Sequence, residues 1–138
     1  MQLRAVSRGK LSQITCKDRP VDAALYGCMV VRAPEAKVGG KVYMTIDVSQ
    51  CGGDMDVVRA VDDFIQRRAQ PRFSPLLPTG QLVVKVPAGV KYENSEGMPA
   101  APWTVLTNAL VDIVVRPGAF GDFGYCWLLQ RIKPPARV

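Results

Sequence analysis

Apolar and polar side chains alternate over several short stretches of this chain, which is the pattern of β-strands that bury one face. Residues 41–48 alternate most regularly, with Val42, Met44, Ile46 and Val48 on one face and Lys41, Tyr43, Thr45 and Asp47 on the other. Further strands are predicted at residues 10–17, 24–32, 82–87, 109–116 and 123–133. A Gly-rich turn joins strands 24–32 and 41–48, which are therefore predicted to form a hairpin.

Residues 54–69 have helical spacing, because their apolar side chains recur every three or four positions. Asp54 is a candidate N-cap, the basic side chains at the other end complement the helix dipole, and Pro71 ends the helix. The sequence therefore predicts a mostly β protein, a small OB-like β-barrel with one helix, in a single domain over residues 1–138.

Residues 88–108 are predicted to form a long loop. A connection of about 20 residues without regular structure is unusual in a compact domain unless it has a function. Within it, residues 99–108, with Pro99, Pro102 and Trp103, are a candidate docking arm for protein contacts.

The last predicted strand, residues 123–133, carries an unusual mixture on one face. Strand alternation places these side chains together: Phe123, Tyr125, Trp127, Leu129, Arg131 and Lys133. Rings stack on bases and cations neutralise phosphates, so this mixture is typical of a surface that binds single-stranded nucleic acid. A partly buried core strand has a similar composition, and Trp127 suits the core as well as it suits a ligand contact.

The chain has 138 residues, a net charge of +6 and an isoelectric point near 9.4. This balance favours polyanionic partners such as nucleic acid. The sequence contains neither an apolar run long enough to cross a bilayer nor a signal-peptide core, so an intracellular protein that is not secreted and binds no membrane is expected. Its four cysteines are then expected to be free, buried thiols.

The chain contains no histidine, which excludes a Ser-His-Asp triad and any zinc site that needs histidine. No phosphate-binding Gly-rich motif occurs. Asp112 lies alone in an apolar strand and is expected to contact a backbone group or an arginine rather than to act in catalysis. The sequence therefore predicts a protein that is not an enzyme and uses no metal or cofactor.

Cations lie near aromatic rings on several predicted strands and connectors. The candidate nucleic-acid contacts are Lys41, Tyr43, Arg72, Phe73, Lys85, Arg116, Phe120, Tyr125, Arg131 and Lys133. Among the rings, Tyr43 and Phe120 are expected to be exposed. The recurrence of this pairing on several strands, rather than any single pair, indicates nucleic-acid binding.

Four segments carry a resemblance to a known family: Phe73-Ser-Pro-Leu-Leu77, Leu82-Val-Val-Lys-Val-Pro87, Leu110-Val-Asp-Ile-Val-Val-Arg116 and the aromatic-rich stretch at 123–133. Together, over about residues 54 to 133, they resemble the OB-fold single-stranded DNA-binding proteins of large DNA viruses and bacteriophages. The resemblance implies sequence-independent binding of single-stranded DNA in viral or phage DNA replication or recombination. It also implies that Lys85, Arg116, Phe120, Tyr125 and Arg131 contact the ligand.

An alternative interpretation is a small β-barrel structural or assembly protein of a virion, in which the rings and prolines make protein contacts. The residue types do not distinguish DNA from RNA, because a contact to the 2′-hydroxyl decides that preference. They also leave a homo-oligomer open.

Overall fold

The computed structural model of the chain describes residues 1–36, 38–101 and 105–135. Trp103 and Pro102 of the candidate docking arm lie outside these residues. The strands are β1 (Leu3–Arg8), β2 (Leu11–Cys16), β3 (Arg19–Pro20), β4 (Ala23–Ala36), β5 (Val42–Asp47), β6 (Gly52–Gly53), β7 (Gln81–Lys85), β8 (Lys91–Tyr92), β9 (Leu110–Pro117) and β10 (Trp127–Lys133). The helix α1 spans Met55–Ala69, and a short 3-10 turn spans Val38–Gly40.

Five of these strands close into a barrel in the order β4-β5-β7-β10-β9, with β9 returning to pair with β4. Neighbouring strands of the barrel are antiparallel except β7 and β10, which are parallel. A short, partly closed Greek-key barrel of five strands is the OB architecture. The described residues therefore confirm the predicted fold, a small OB-like barrel with one helix.

The predicted hairpin is confirmed, because β4 and β5 pair antiparallel. β4 is longer than predicted, at 14 residues. Its register against β5 shifts twice, between Val30 and Arg32 and between Arg32 and Glu35. Such bulges bend a strand and increase its twist, which lets one long strand pair with β5 along one part and with β9 along another.

The helix begins one residue later than predicted and ends where predicted. Asp54 precedes it, but its carboxylate accepts a hydrogen bond from the Ala24 backbone N–H at 2.9 Å instead of capping the helix. That bond ties the start of α1 to β4. Four helix side chains, Met55, Val58, Val61 and Ile65, join the barrel core.

The ring of Trp127 has no exposed surface and lies at the centre of the core, which settles its assignment. A β-bulge in β10 follows, because the register against β9 shifts between Leu129 and Arg131. Before the bulge Trp127 and Leu129 are buried, whereas after it Ile132 is buried. The prediction of one regular face over residues 123–133 is therefore wrong, since the extra residue reverses the alternation and the strand begins only at Trp127.

The N-terminal region forms a separate three-stranded antiparallel sheet, β1-β2-β3. The sequence predicts only β2, because β1 mixes small, polar and basic residues without a clean alternation. The predicted loop at 88–108 also contains structure: β8 pairs with β10, and Glu93 bridges Pro99.

The four cysteines are free, as predicted, but only Cys28 is fully buried. No helix in the described part of the chain is long and apolar enough to cross a membrane.

Candidate nucleic-acid interface

A row of four side chains crosses the outer surface of the barrel. Tyr43 on β5 pairs in register with Lys85 on β7. Lys85 in turn pairs with Leu128 on β10, and Leu128 pairs with Arg116 on β9. Their neighbours along each strand, such as Met44, point into the core, so the row points outward. Since adjacent strands are about 4.8 Å apart, the row spans roughly 14 Å. We call the outward surface of β5, β7, β10 and β9 around this row the outer face.

Lys41 and Lys85 are the cations at one end of the outer face. Both lysines line one open cavity, and their charges partly offset the rise that burial causes in the pKa of the Cys126 thiol. Neither lysine forms a hydrogen bond or ion pair within residues 1–36, 38–101 and 105–135. Their charges are therefore available to an anionic ligand.

Tyr43 is half-buried rather than exposed as expected, and it lies beside an open groove of about 500 Å³. Thr45 and Val83, the next outward residues on β5 and β7, form the groove floor with Gln81. A tyrosine ring at the edge of such a groove can stack on a base, and the neighbouring Lys85 can contact the adjoining phosphate.

Arg116 lies on the outer face, but its charge already has a partner. Its guanidinium donates two hydrogen bonds to the carboxylate of Asp22, at 2.7 and 3.1 Å. The hydrogen bonds that Arg116 donates to Asp22 raise the pKa of its guanidinium. Arg116 is therefore a weaker candidate for a phosphate contact than Lys41 or Lys85.

Two phenylalanine rings lie exposed where the segment after α1 pairs with the loop between β9 and β10. Phe73 is 69% exposed and Phe123 is 73% exposed. Two backbone hydrogen bonds of 3.3 Å hold them, from Arg72 to Asp122 and from Phe73 to Phe123, and the Arg72 guanidinium carbon lies 5.5 Å from the centre of the Phe123 ring. Large exposed rings are informative, because a folded chain normally buries them.

Phe123 is a candidate contact that the sequence-based site omits. The alternation of residues 123–133 places Phe123 on the same predicted face as Trp127. Only the structure shows that the ring of Phe123 is exposed whereas that of Trp127 is buried. Gly124 beside it permits the close approach of the two segments, since a Cβ there would lie 3.1 Å from the Phe73 carbonyl oxygen. Arg72, Phe73 and Phe123 are called the ring cluster below.

Tyr125 anchors the loop between β9 and β10 to the helix α1. Its hydroxyl donates to the carboxylate of Asp62 on α1, which also accepts a 2.8 Å hydrogen bond from the Ser74 hydroxyl. Burial and the Asp62 hydrogen bond raise the pKa of Tyr125. The ring packs edge-on against Trp127, with 6.5 Å between ring centres. Tyr125 therefore joins both segments of the ring cluster to the helix, a structural role that the sequence did not indicate.

Phe120 is only 4% exposed, so the expectation that this ring is exposed is wrong. Its backbone exchanges two hydrogen bonds with Ser12 on β2, at 2.9 and 2.8 Å. The N-terminal sheet therefore covers the segment that carries Phe120. The sequence could not show this, because the contact joins residues more than a hundred positions apart.

Arg131 and Lys133 lie beyond the bulge in β10, at the opposite end of that strand from Leu128. Arg131 forms an ion pair of 2.8 Å with Glu93. Lys133 is the register partner of Asp112, whose carboxylate accepts a 2.9 Å hydrogen bond from the Gly27 backbone as the sequence predicts. The structure thus separates Arg131 and Lys133 from the row on the outer face.

The sequence matches no known protein-family model, and a search of curated proteins found no match. Solved structures of a single-stranded DNA-binding protein from bacteriophage Enc34 nevertheless resemble this chain. The protein alone matches with a TM-score of 0.56 and 12% identity, over 99% of this chain and 91% of the other. The same protein in complex with single-stranded DNA gives a TM-score of 0.54 and 13% identity, over 99% and 97%.

A C-terminal truncation of that protein matches with a TM-score of 0.53 and 12% identity, over 99% of this chain and 96% of the other. The likeness extends over the whole described chain, including the N-terminal sheet that lies before the segments of the sequence resemblance. This chain shares its OB-like fold with those phage proteins.

Proposed function

We propose that this protein binds single-stranded DNA without sequence preference and acts in phage or viral DNA replication or recombination. The observation that carries the proposal is the row of Tyr43, Lys85, Leu128 and Arg116, with the unpaired Lys41 beside it. The row combines a ring, an apolar side chain and cations across four adjacent strands. That combination is what a sequence-tolerant single-strand surface needs.

The position of this surface within the barrel supports the same proposal. OB-folds bind oligonucleotides on the face of their second and third strands and with the loops that follow the first and fourth strands. When the five barrel strands are counted in chain order, the second and third are β5 and β7, which carry Tyr43 and Lys85. The loop after the fourth strand, β9, carries Phe123 of the ring cluster.

Two contributions make up the free energy of binding. Stacking of a base on an aromatic ring contributes about 1–3 kcal/mol and tolerates any base. Each phosphate contact releases condensed counterions, so the logarithm of the binding constant falls with the logarithm of salt concentration by about 0.7 per contact on a single strand. The protein uses no catalytic step, since binding alone protects and organises the strand.

The test is a fluorescence-anisotropy titration of labelled oligothymidine at several salt concentrations, with oligouridine as the RNA comparison. The proposal predicts micromolar or tighter binding of oligothymidine that weakens steeply as salt rises. Mixed-sequence oligonucleotides should bind within a few-fold of oligothymidine. Absence of binding at low salt contradicts the proposal and favours the structural or virion-assembly alternative.

A further inference from the structure

The positive charge of this chain is concentrated at its N-terminus. The first 20 residues contain five of the 18 basic residues and one of the 12 acidic residues. They therefore carry a charge of +4 out of the net +6 of the whole chain. These residues form the three-stranded sheet β1-β2-β3, which lies outside the barrel.

The basic side chains lie on the outward surface of this sheet. Arg4 and Arg8 on β1 are exposed, and they alternate with Leu3 and Ala5, which pack against the core. Lys10 is exposed in the turn between β1 and β2. Within the part of the chain that the structure describes, none of these three cations forms an ion pair or a side-chain hydrogen bond.

The sheet is attached to the loop between β9 and β10, which carries Phe123 of the ring cluster. Ser12 exchanges its two backbone hydrogen bonds with Phe120, and the Leu11 side chain packs against Gly121. Phe123 follows two residues later and is exposed. The basic turn of the hairpin and the ring cluster therefore adjoin each other on one continuous surface.

We propose that the β1–β2 hairpin is a second phosphate-binding surface, which lengthens the stretch of single-stranded DNA that one molecule covers. The inference rests on the proposed function. Arg4 and Arg8 are four residues apart on one strand, so their positions are separated by about 13 Å. Exposed cations that lack counter-charges within the described residues create a positive potential that attracts a polyanion. Arginine donates two hydrogen bonds to a phosphate without reading a base.

The experiment compares two double variants that remove the same charge. Arg4→Gln/Arg8→Gln removes cations of the hairpin. Arg59→Gln/Lys91→Gln removes exposed cations on α1 and β8, neither of which belongs to the row or to the hairpin. Each is titrated with oligothymidines of about 6 and about 20 nucleotides; the first lies near the lower end of the roughly 4–16 nucleotides that one OB-fold covers, and the second exceeds that range. Circular dichroism and thermal unfolding verify that both variants keep the fold.

The hairpin variant is expected to bind the short oligonucleotide like the wild type and to lose about tenfold or more in affinity for the long one at low salt. Its salt slope on the long oligonucleotide should fall by about 1.4, from two lost contacts. The Arg59/Lys91 variant should differ little from the wild type on either length.

Equal affinity of the hairpin variant and the wild type for the long oligonucleotide would overturn the inference while leaving the proposed function standing. An equal loss in the Arg59/Lys91 variant would also overturn it, because net charge alone would then account for the effect. A loss on both lengths would place the hairpin within the primary site and contradict a separate surface. Failure of the wild type to bind either oligonucleotide would sink the proposed function itself.

Discussion

Tyr43 and Lys85 lie side by side on the outer face, and each supplies a different contribution to the free energy of binding. The tyrosine ring contributes stacking, which salt hardly affects, whereas the lysine contributes counterion release, which salt controls. Substituting one residue at a time therefore separates these terms in a salt titration.

Tyr43→Ala is expected to weaken oligothymidine binding by about 1–3 kcal/mol at every salt concentration, since one stacked base is lost. The salt slope should stay unchanged. Anisotropy titrations measure both quantities. Tyr26→Ala is the control, because Tyr26 is an exposed tyrosine on β4, outside the row. A Tyr43 variant that binds as tightly as the wild type would remove this ring from the site.

Lys85→Gln is expected to lower the salt slope by about 0.7, the contribution of one phosphate contact on a single strand. Arg131→Gln should lower the slope less, because Arg131 is already paired with Glu93 and lies beyond the bulge. Both variants are titrated over the same salt range. A larger effect of Arg131 than of Lys85 would show that the strand crosses the other end of β10.

Tyr125→Phe tests the buried hydroxyl through pH. Burial and the Asp62 hydrogen bond raise the pKa of Tyr125 in the folded protein. The unfolded tyrosine ionises near pH 10, so above that pH the unfolded chain loses a proton that the folded chain keeps. The contribution to stability is thus complete below about pH 10 and is lost as the pH rises further.

The free energy of unfolding in urea, measured from pH 8 to 11, should therefore fall less steeply above pH 10 in Tyr125→Phe than in the wild type. Burial also raises the pKa of Tyr92. Tyr92 therefore accounts for some of the pH dependence of stability that remains in the variant. Identical pH profiles would show that the Tyr125 hydroxyl is not protected in solution. Oligothymidine binding by the folded variant should remain close to that of the wild type.

At the scale of elements, regular strands were predictable and the irregular ones were not. β5 and β7 follow their alternation, so the inward side chains Met44, Ile46, Leu82 and Val84 are buried as predicted. β10 departs from its alternation at the bulge, which arises from its pairing with β9. Nothing in the local sequence marks the extra residue, and a one-residue shift moves each later side chain to the other face.

The junction between β6 and α1 provides a test of backbone fit. Gly53 has a φ of 98°, and a Cβ there would overlap the carbonyl oxygen of Ala24 on β4. Gly53→Ala is therefore expected to lower the free energy of unfolding by about 3 kcal/mol or more. Gly97→Ala is the control, because Gly97 has a φ of 76° in open space and the cost there should be about 1 kcal/mol.

Urea unfolding of both glycine variants provides the comparison. A Gly53→Ala protein as stable as Gly97→Ala would show that the β4–β6 junction can shift to accept a methyl group.

For the whole molecule, the barrel and its single described helix followed from the order of elements, because few small folds accommodate that list. The candidate site could be predicted only in part from the sequence. Lys41, Tyr43, Lys85 and Arg116 share the outer face because register aligns separate strands, and the sequence suggested each of them by its own neighbours alone. The sequence did not show the surroundings of Phe120 and Tyr125, because distant partners, Ser12 and Asp62, determine them.

The most direct test of the account is to record amide chemical shifts of the isotopically labelled protein during titration with oligothymidine. Proposed binding on the outer face predicts the largest shifts at Tyr43, Lys85, Leu128 and the loop around Phe123, with small shifts at Tyr26 and along the exposed side of α1. Shifts confined to other surfaces, or no shifts at low salt, would contradict the claim that this barrel binds single-stranded DNA on its outer face.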